Sequence, residues 1–304
     1  MPLISPYLSV GGRVLEWGAR TYVMGVLNVT PDSFSGDGLL AAAKAGPDPD
    51  SLLAAALQQA REFVAAGADI LDIGGESTRP GGAPVSAEQE AERVLPVIRA
   101  VVAELDVLIS IDTYKASVAG AAFQAGAHIL NDVWGLRADP QLAEVASQAR
   151  VPVILMHNRS SWANAEVKER LGGHYVGMAY TNLLEDIRRD LLGSVAIAHT
   201  AGIPDEKIIL DPGIGFGKTV EQNLELLNRL GELRELGYPL LLGASRKSFI
   251  GYTLDLPPDE RLEGTAAAVA VGIVRGADII RVHDVKFMSR VTRMTDAITR
   301  RKHE

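Results

Sequence analysis

Eight times over, the chain alternates between a short apolar run rich in Val, Ile and Leu and a longer amphipathic segment, a pattern few folds accept. The runs are Tyr22–Asn28, Ile70–Ile73, Val107–Asp112, Ile129–Asp132, Val153–His157, Ile208–Asp211, Leu240–Ala244 and Ile279–Val282. A sheet with one face in water reads in and out with period two. Continuous short apolar runs instead suit strands of a parallel sheet buried on both faces. Between them, Ser51–Ala66 is rich in Ala and Leu, and Ser86 with Gln89 forms a capping box that opens a helix towards Leu105. Thr219 with Gln222 repeats the signature before a helix towards Leu236, and Pro140–Gln148, Met178–Ala201, Thr265–Val274 and Val285–Arg301 continue the alternation. The phrases AAGAD (65–69), QAGAH (124–128) and RGADI (275–279) each read as a helix end, a glycine C-cap and a strand entry. The segments 158–177 and 254–262 read as loops.

This alternation predicts an α/β fold, a single (β/α)8 TIM barrel. A doubly wound sheet normally carries a Gly-rich dinucleotide turn after its first strand, and MGVLNVTPDS is not one. Residues 1–20, with Gly11-Gly12 as a turn, predict an N-terminal β-hairpin under the barrel, and the whole of 1–304 reads as one domain without a linker. The formal charge of −8 argues against a nucleic-acid surface, and the absence of cysteine excludes disulfides, Cys-ligated metals and Cys nucleophiles. No basic leader with an apolar core opens the chain and no apolar stretch is long enough to span a bilayer, so a cytoplasmic enzyme is expected, with no membrane partner.

Barrel active sites lie at the C-terminal ends of the strands, so what each run ends in is the informative test. In order the ends are Asn28; the loop GGESTRPGG (74–82); Asp112; Asn131-Asp132; Met156-His157; Asp211; Ser245-Arg246-Lys247-Ser248; and Arg281-Val282-His283. One polar end is ordinary, since an Asp after a strand often caps the next helix. Polar ends on nearly every strand converge on one mouth. Asp112, Asn131 and Asp211 can accept the N–H donors of an amidine-like edge, as on a pterin or guanine. Arg281 and His283 are two apart on a strand and share a face suited to phosphate. Lys247 would be an organised donor if it stands near two aspartates. Asp72 fits a structural role better than a chemical one. The histidines 128, 157, 174, 199 and 303 show no metal spacing and read as structural, His157 least securely. DPGIGFGK (211–218) lacks P-loop spacing.

Together, the strings NVTPDSFS (28–35), DIGGESTRPG (72–81), ISIDTYK (109–115), ILNDV (129–133), DPGIGFGK (211–218), GASRKSFIG (243–251) and RVHDV (281–285) resemble the dihydropteroate synthase family, in family order and across nearly the whole barrel. The resemblance implies condensation of 7,8-dihydropterin-6-ylmethyl diphosphate with 4-aminobenzoate to 7,8-dihydropteroate and diphosphate, a step of folate synthesis blocked by sulfonamides. It implies an SN1-like course in which diphosphate leaves first. Asp112, Lys247 and Arg281 would be catalytic, and Asp112, Asn131, Met156, Asp211, Lys247 and Arg281 would bind the pterin. Asn28, Arg79, Arg281 and His283 would hold the diphosphate, with Mg²⁺ on Asn28. Thr78, Arg79, Pro80, Phe216, Lys247 and Ser248 would form the aminobenzoate site. A homodimer is expected, with the last helices as its interface.

The chain departs from the family pattern in its first loop, where Gly36 separates Ser35 from Asp37 and the segment AAAKAGPDPD (41–50) adds length. Two other kinds of protein share the pocket. A pterin-dependent methyltransferase domain usually lacks SRKS and GESTRPG. A catalytically silent pterin-binding homologue would be expected to lose Asn28, Arg79, Lys247 or Arg281, yet this chain has all four.

Overall fold

The computed structural model describes residues 3–30, 49–77, 84–161, 164–168, 170–176 and 179–300. Both capping boxes form. Ser86 Oγ accepts from Gln89 N at the start of α2 (Ala87–Glu104), and Thr219 Oγ1 accepts from Gln222 N at the start of α6 (Val220–Asn228). In each, the glutamine side chain returns to the cap backbone, which satisfies amides that the first helical turn leaves unpaired.

The barrel strands are β3 (Tyr22–Asn28), β4 (Ile70–Gly74), β5 (Leu108–Asp112), β6 (Ile129–Asp132), β7 (Val153–Met156), β10 (Ile208–Asp211), β11 (Leu241–Leu242) and β12 (Ile279–Val282). They lie in the order β10-β7-β6-β5-β4-β3-β12-β11, all parallel. A parallel bridge between Leu210 and Leu240, with Leu210 N donating to Pro239 O at 3.0 Å, brings the two edges together and nearly closes the ring. The remaining helices are α1 (Pro49–Ala65), α3 (Ala116–Gln124), α4 (Leu142–Ala149), α5 (Leu183–Thr200), α7 (Ser248–Leu254), α8 (Leu262–Val274) and α9 (Val285–Thr299). Among the described residues, no helix is long and apolar enough to cross a membrane.

The hairpin of β1 (Tyr7–Val10) and β2 (Arg13–Glu16) turns on Gly11 and Gly12, whose φ of +54° and +73° are what a two-residue hairpin turn requires. Its inward side chains Leu8, Val10 and Leu15 pack with Met24, Ile70, Leu108, Ile129, Ile154 and Ile209 in one buried cluster. The barrel is therefore shut with hydrocarbon at the end opposite the polar strand termini.

Some local expectations change. The segment expected as a loop over 158–177 carries a second antiparallel hairpin, β8 (Ala165–Lys168) with β9 (Gly172–Tyr175). Its pattern is too short and polar to announce a strand. Long-range contacts hold it: Arg261 Nη2 donates to Leu171 O (2.8 Å), Tyr252 Oη donates to Gly172 O (3.2 Å), and the His174 ring lies 4.1 Å from that of Tyr252. The helix expected from Met178 begins at Leu183, where Asn182 supplies the cap. The helix expected to reach Leu236 ends at Asn228 and tightens into a 3-10 turn over Leu230–Leu236, which contains Gly231, a poor helix former. α8 begins at Leu262 rather than Thr265, and α3 forms the crossover between β5 and β6.

Candidate active site

Strand register sets the site. Asn28 pairs with Gly74, Gly74 with Asp112, and Asp112 with Asn131, so the ends of β3, β4, β5 and β6 stand in one row. Met156 pairs with Asp211 at the ends of β7 and β10. The residues singled out at the strand ends thus come from neighbouring positions around one rim, although up to 209 residues of chain separate those that touch.

The centre is a charged network. Arg281, from β12, donates from Nε to Asp72 Oδ2 (2.5 Å) and from Nη2 to Asp112 Oδ2 (2.6 Å). Asn131 Nδ2 donates to the same Asp72 oxygen at 3.0 Å. Asp72 is fully buried, which explains why its carboxylate needs both donors. Burial pushes the Asp112 carboxyl up to about 7, against the opposing pull of the Arg281 guanidinium. Arg281 resists its own burial because Asp72 and Asp112 hold it charged. Burial also raises Asp211, while the Gly213 N–H on its Oδ1 (2.7 Å) and the charges of Lys247 and Arg281 oppose the rise.

Two pairs flank this network. Lys247 Nζ stands 4.0 Å from the centre of the Phe216 ring, a cation–π contact between the β11 loop and the β10 loop. His283 Nδ1 lies 3.1 Å from Ser245 Oγ, which also accepts from His283 N at 3.2 Å. Ser248 opens α7 one residue after Lys247. Asn28 ends β3, half-buried. Thr78, Arg79 and Pro80, and the divergent first loop over 31–48, lie outside the described residues. Among the described residues, no three His, Cys, Asp or Glu side chains gather as a metal cage.

A carboxylate beside a fixed guanidinium, acceptors on three strands and a lysine over an aromatic ring suit a flat, nitrogen-rich cation better than a sugar or a nucleotide phosphate alone. The pattern of the family described as pterin binding enzyme matches residues 24–283. A dihydropteroate synthase of Clostridium beijerinckii is 50% identical over 295 residues, covering 97% of this chain and 100% of that one. The chain belongs to the dihydropteroate synthase family.

Solved structures agree. The dihydropteroate synthase of Clostridium difficile, crystallised in the presence of pteroic acid, superposes with a TM-score of 0.83 at 47% identity, covering 94% of this chain and 99% of that one. The Yersinia pestis dihydropteroate synthase in complex with a sulfonamide drug gives 0.84 at 40% identity, covering 96% and 98%. The family fold of eight parallel strands with an N-terminal hairpin is the fold described above.

Within this dihydropteroate synthase site, Asp72, expected in a structural role, links Arg281 to Asn131 from inside the otherwise apolar run ILDIG. One contributor had no sequence signal of its own. Lys218 is 1% exposed, with Nζ on His157 Nδ1 (2.9 Å), Gly213 O (2.9 Å) and Phe216 O (3.1 Å). His157 is buried, as its structural assignment implied, and burial with the nearby Lys218 charge holds it neutral. His128 is structural too, its Nδ1 accepting from Ile109 N at 3.1 Å.

Proposed function

We propose that this chain condenses 7,8-dihydropterin-6-ylmethyl diphosphate with 4-aminobenzoate by a dissociative path. The observation that carries this reading is the Asp112–Arg281–Asp72–Asn131 network at the strand ends: a carboxylate for the pterin N–H beside a permanent cation for the diphosphate. In the first step the methylene C–O bond breaks, and its electron pair leaves with the diphosphate. The pterin methyl cation spreads its charge over the ring, where Asp112, as carboxylate, stabilises it through space. Asp211 and Asn131 hold the 2-amino and N3 edge, Lys247 donates to the ring oxygen and N5, and Met156 lines the floor. Arg281 takes the ring face and reaches the diphosphate with His283 and Asn28.

In the second step the arylamine lone pair forms the C–N bond, and the amine then loses one proton. Its site comprises Phe216, Lys247 and Ser248 with Thr78, Arg79 and Pro80. No strong base is required, because the attacked carbon is already a cation. Mg²⁺, when bound, neutralises charge on the leaving group. The Asn28 carboxamide, at the end of β3, would offer the ion a hard oxygen donor.

We also infer a homodimer through the last two helices. Phe287, Met294 and Ile298 on α9 and Val274 on α8 expose large apolar side chains. Light scattering should give twice the chain mass, and a monomer at micromolar concentration would refute it. The activity itself is tested by incubating the protein with dihydropterin diphosphate, Mg²⁺ and 4-aminobenzoate. Dihydropteroate should appear in step with diphosphate, and a folded sample that makes none contradicts the proposal.

A further inference from the structure

The loop Asp211–Lys218 is too close to its neighbours for side chains at its glycines. A Cβ on Gly213, at φ +69°, would meet His157 O at 1.9 Å, and one on Gly217, at φ +60°, would meet Arg159 C at 2.4 Å. Close packing of backbone on backbone leaves carbonyls facing inward, and these need donors. Lys218 supplies two: its Nζ, buried beneath the loop, reaches Gly213 O and Phe216 O. Tyr180 Oη donates to the next carbonyl, Gly217 O, at 2.9 Å. Burial raises the Tyr180 phenol, so it keeps the proton it donates.

The charged groups around Lys218 are Asp211, Lys247, Arg159 and Asp190, and burial pushes its ammonium down to about 7. Either protonation state holds both carbonyls. An ammonium has three donors, and His157 Nδ1 takes the third. A neutral amine has two donors and a lone pair, which the other imidazole tautomer can meet. His157 Nε2 makes no hydrogen bond among the described residues, though it stands 3.3 Å from Asp190 Oδ2.

We propose that Lys218, with Tyr180, is a positioning residue for the second substrate: by fixing the carbonyls of Gly213, Phe216 and Gly217 it sets where the Phe216 ring stands against Lys247. The inference rests on the reading of Phe216 as a wall of the aminobenzoate site. It assigns nothing to the pterin network, with which Lys218 makes no hydrogen bond among those described.

The test is a split between the two substrates. Lys218→Met fills the apolar path of the side chain and removes the donors. It should raise the KM for 4-aminobenzoate and the inhibition constant of a sulfonamide about tenfold, while the KM for dihydropterin diphosphate stays within about twofold. In a Phe216→Leu background the same change should add less than about twofold, because its effect passes through the ring already removed. A merely structural lysine would move both KM values together and add its full effect to Phe216→Leu, and either result overturns the proposal. Should Lys218→Met not fold, Tyr180→Phe carries the test: it should raise the aminobenzoate KM about threefold and leave the pterin KM unchanged, and wild-type values for both overturn the proposal. Wild-type protein that makes no dihydropteroate would sink the proposed activity instead, so the two failures are distinguishable.

Discussion

Asp112→Asn should lower kcat by about 10²–10³-fold while changing the KM for dihydropterin diphosphate only a few-fold. The amide has the carboxylate's shape and can still accept from the pterin ring through its oxygen. It has lost the negative charge, and that charge acts most strongly when the ring becomes a cation. The site is set up for this effect: the Asp112 side chain is 13% exposed, so little water screens it. The same carboxylate sets the pH profile. Its pKa, raised by burial to about 7, means the ionised fraction in the free enzyme falls as pH falls through 7. The value of kcat/KM for the pterin substrate should therefore drop towards tenfold per pH unit on the acid side, a limb that Asp112→Asn lacks. Equal losses in kcat and pterin affinity would argue against cation stabilisation.

Arg281→Ala should be the most damaging single change. The guanidinium holds Asp72 and Asp112 at 2.5 and 2.6 Å, and without it two carboxylates face each other with Asn131 as the remaining described donor. Removing one partner of a buried pair typically costs about 3 kcal/mol or more. Urea unfolding should show a loss of that order, and the melting temperature should fall by roughly 5–10 °C. In the folded fraction, kcat/KM for the diphosphate substrate should fall about 10³-fold, since the ring face and the leaving group lose one cation together. Arg281→Lys should recover much of the stability and little of the activity, because a point charge does not reproduce the planar fork. Unchanged affinity for the diphosphate substrate in Arg281→Ala would refute the assignment.

The barrel was legible because a parallel sheet buried on both faces imposes continuous apolar runs, and each of the eight runs became a strand. The site was legible for a related reason. A strand end is a fixed address on the rim, so Asp112, Asn131, Asp211 and Arg281 could be placed before their partners were known. The partners were not legible. Asp72 and Arg281 lie 209 residues apart and meet only because the barrel closes. Nor does the sequence show that the Arg281 guanidinium bridges the carboxylates of Asp72 and Asp112. Lys218 looked like the end of a glycine-rich loop, and its burial depends on how tightly residues 213–217 pack over His157. The β8–β9 hairpin was missed because its strands are short and lack a continuous apolar run, and its anchors, Tyr252 and Arg261, lie far away in sequence.

The central claim is that the leaving group departs before the amine arrives, with Asp112 and Arg281 answering the charges that separate. The most direct measurement is single-turnover release of diphosphate from dihydropterin diphosphate and Mg²⁺ with no 4-aminobenzoate present. A dissociative site should release diphosphate without the amine, and Asp112→Asn should slow that release by the same factor as the full reaction. Diphosphate that appears only when the amine is added, at a rate proportional to its concentration and to its nucleophilicity, would contradict the claim.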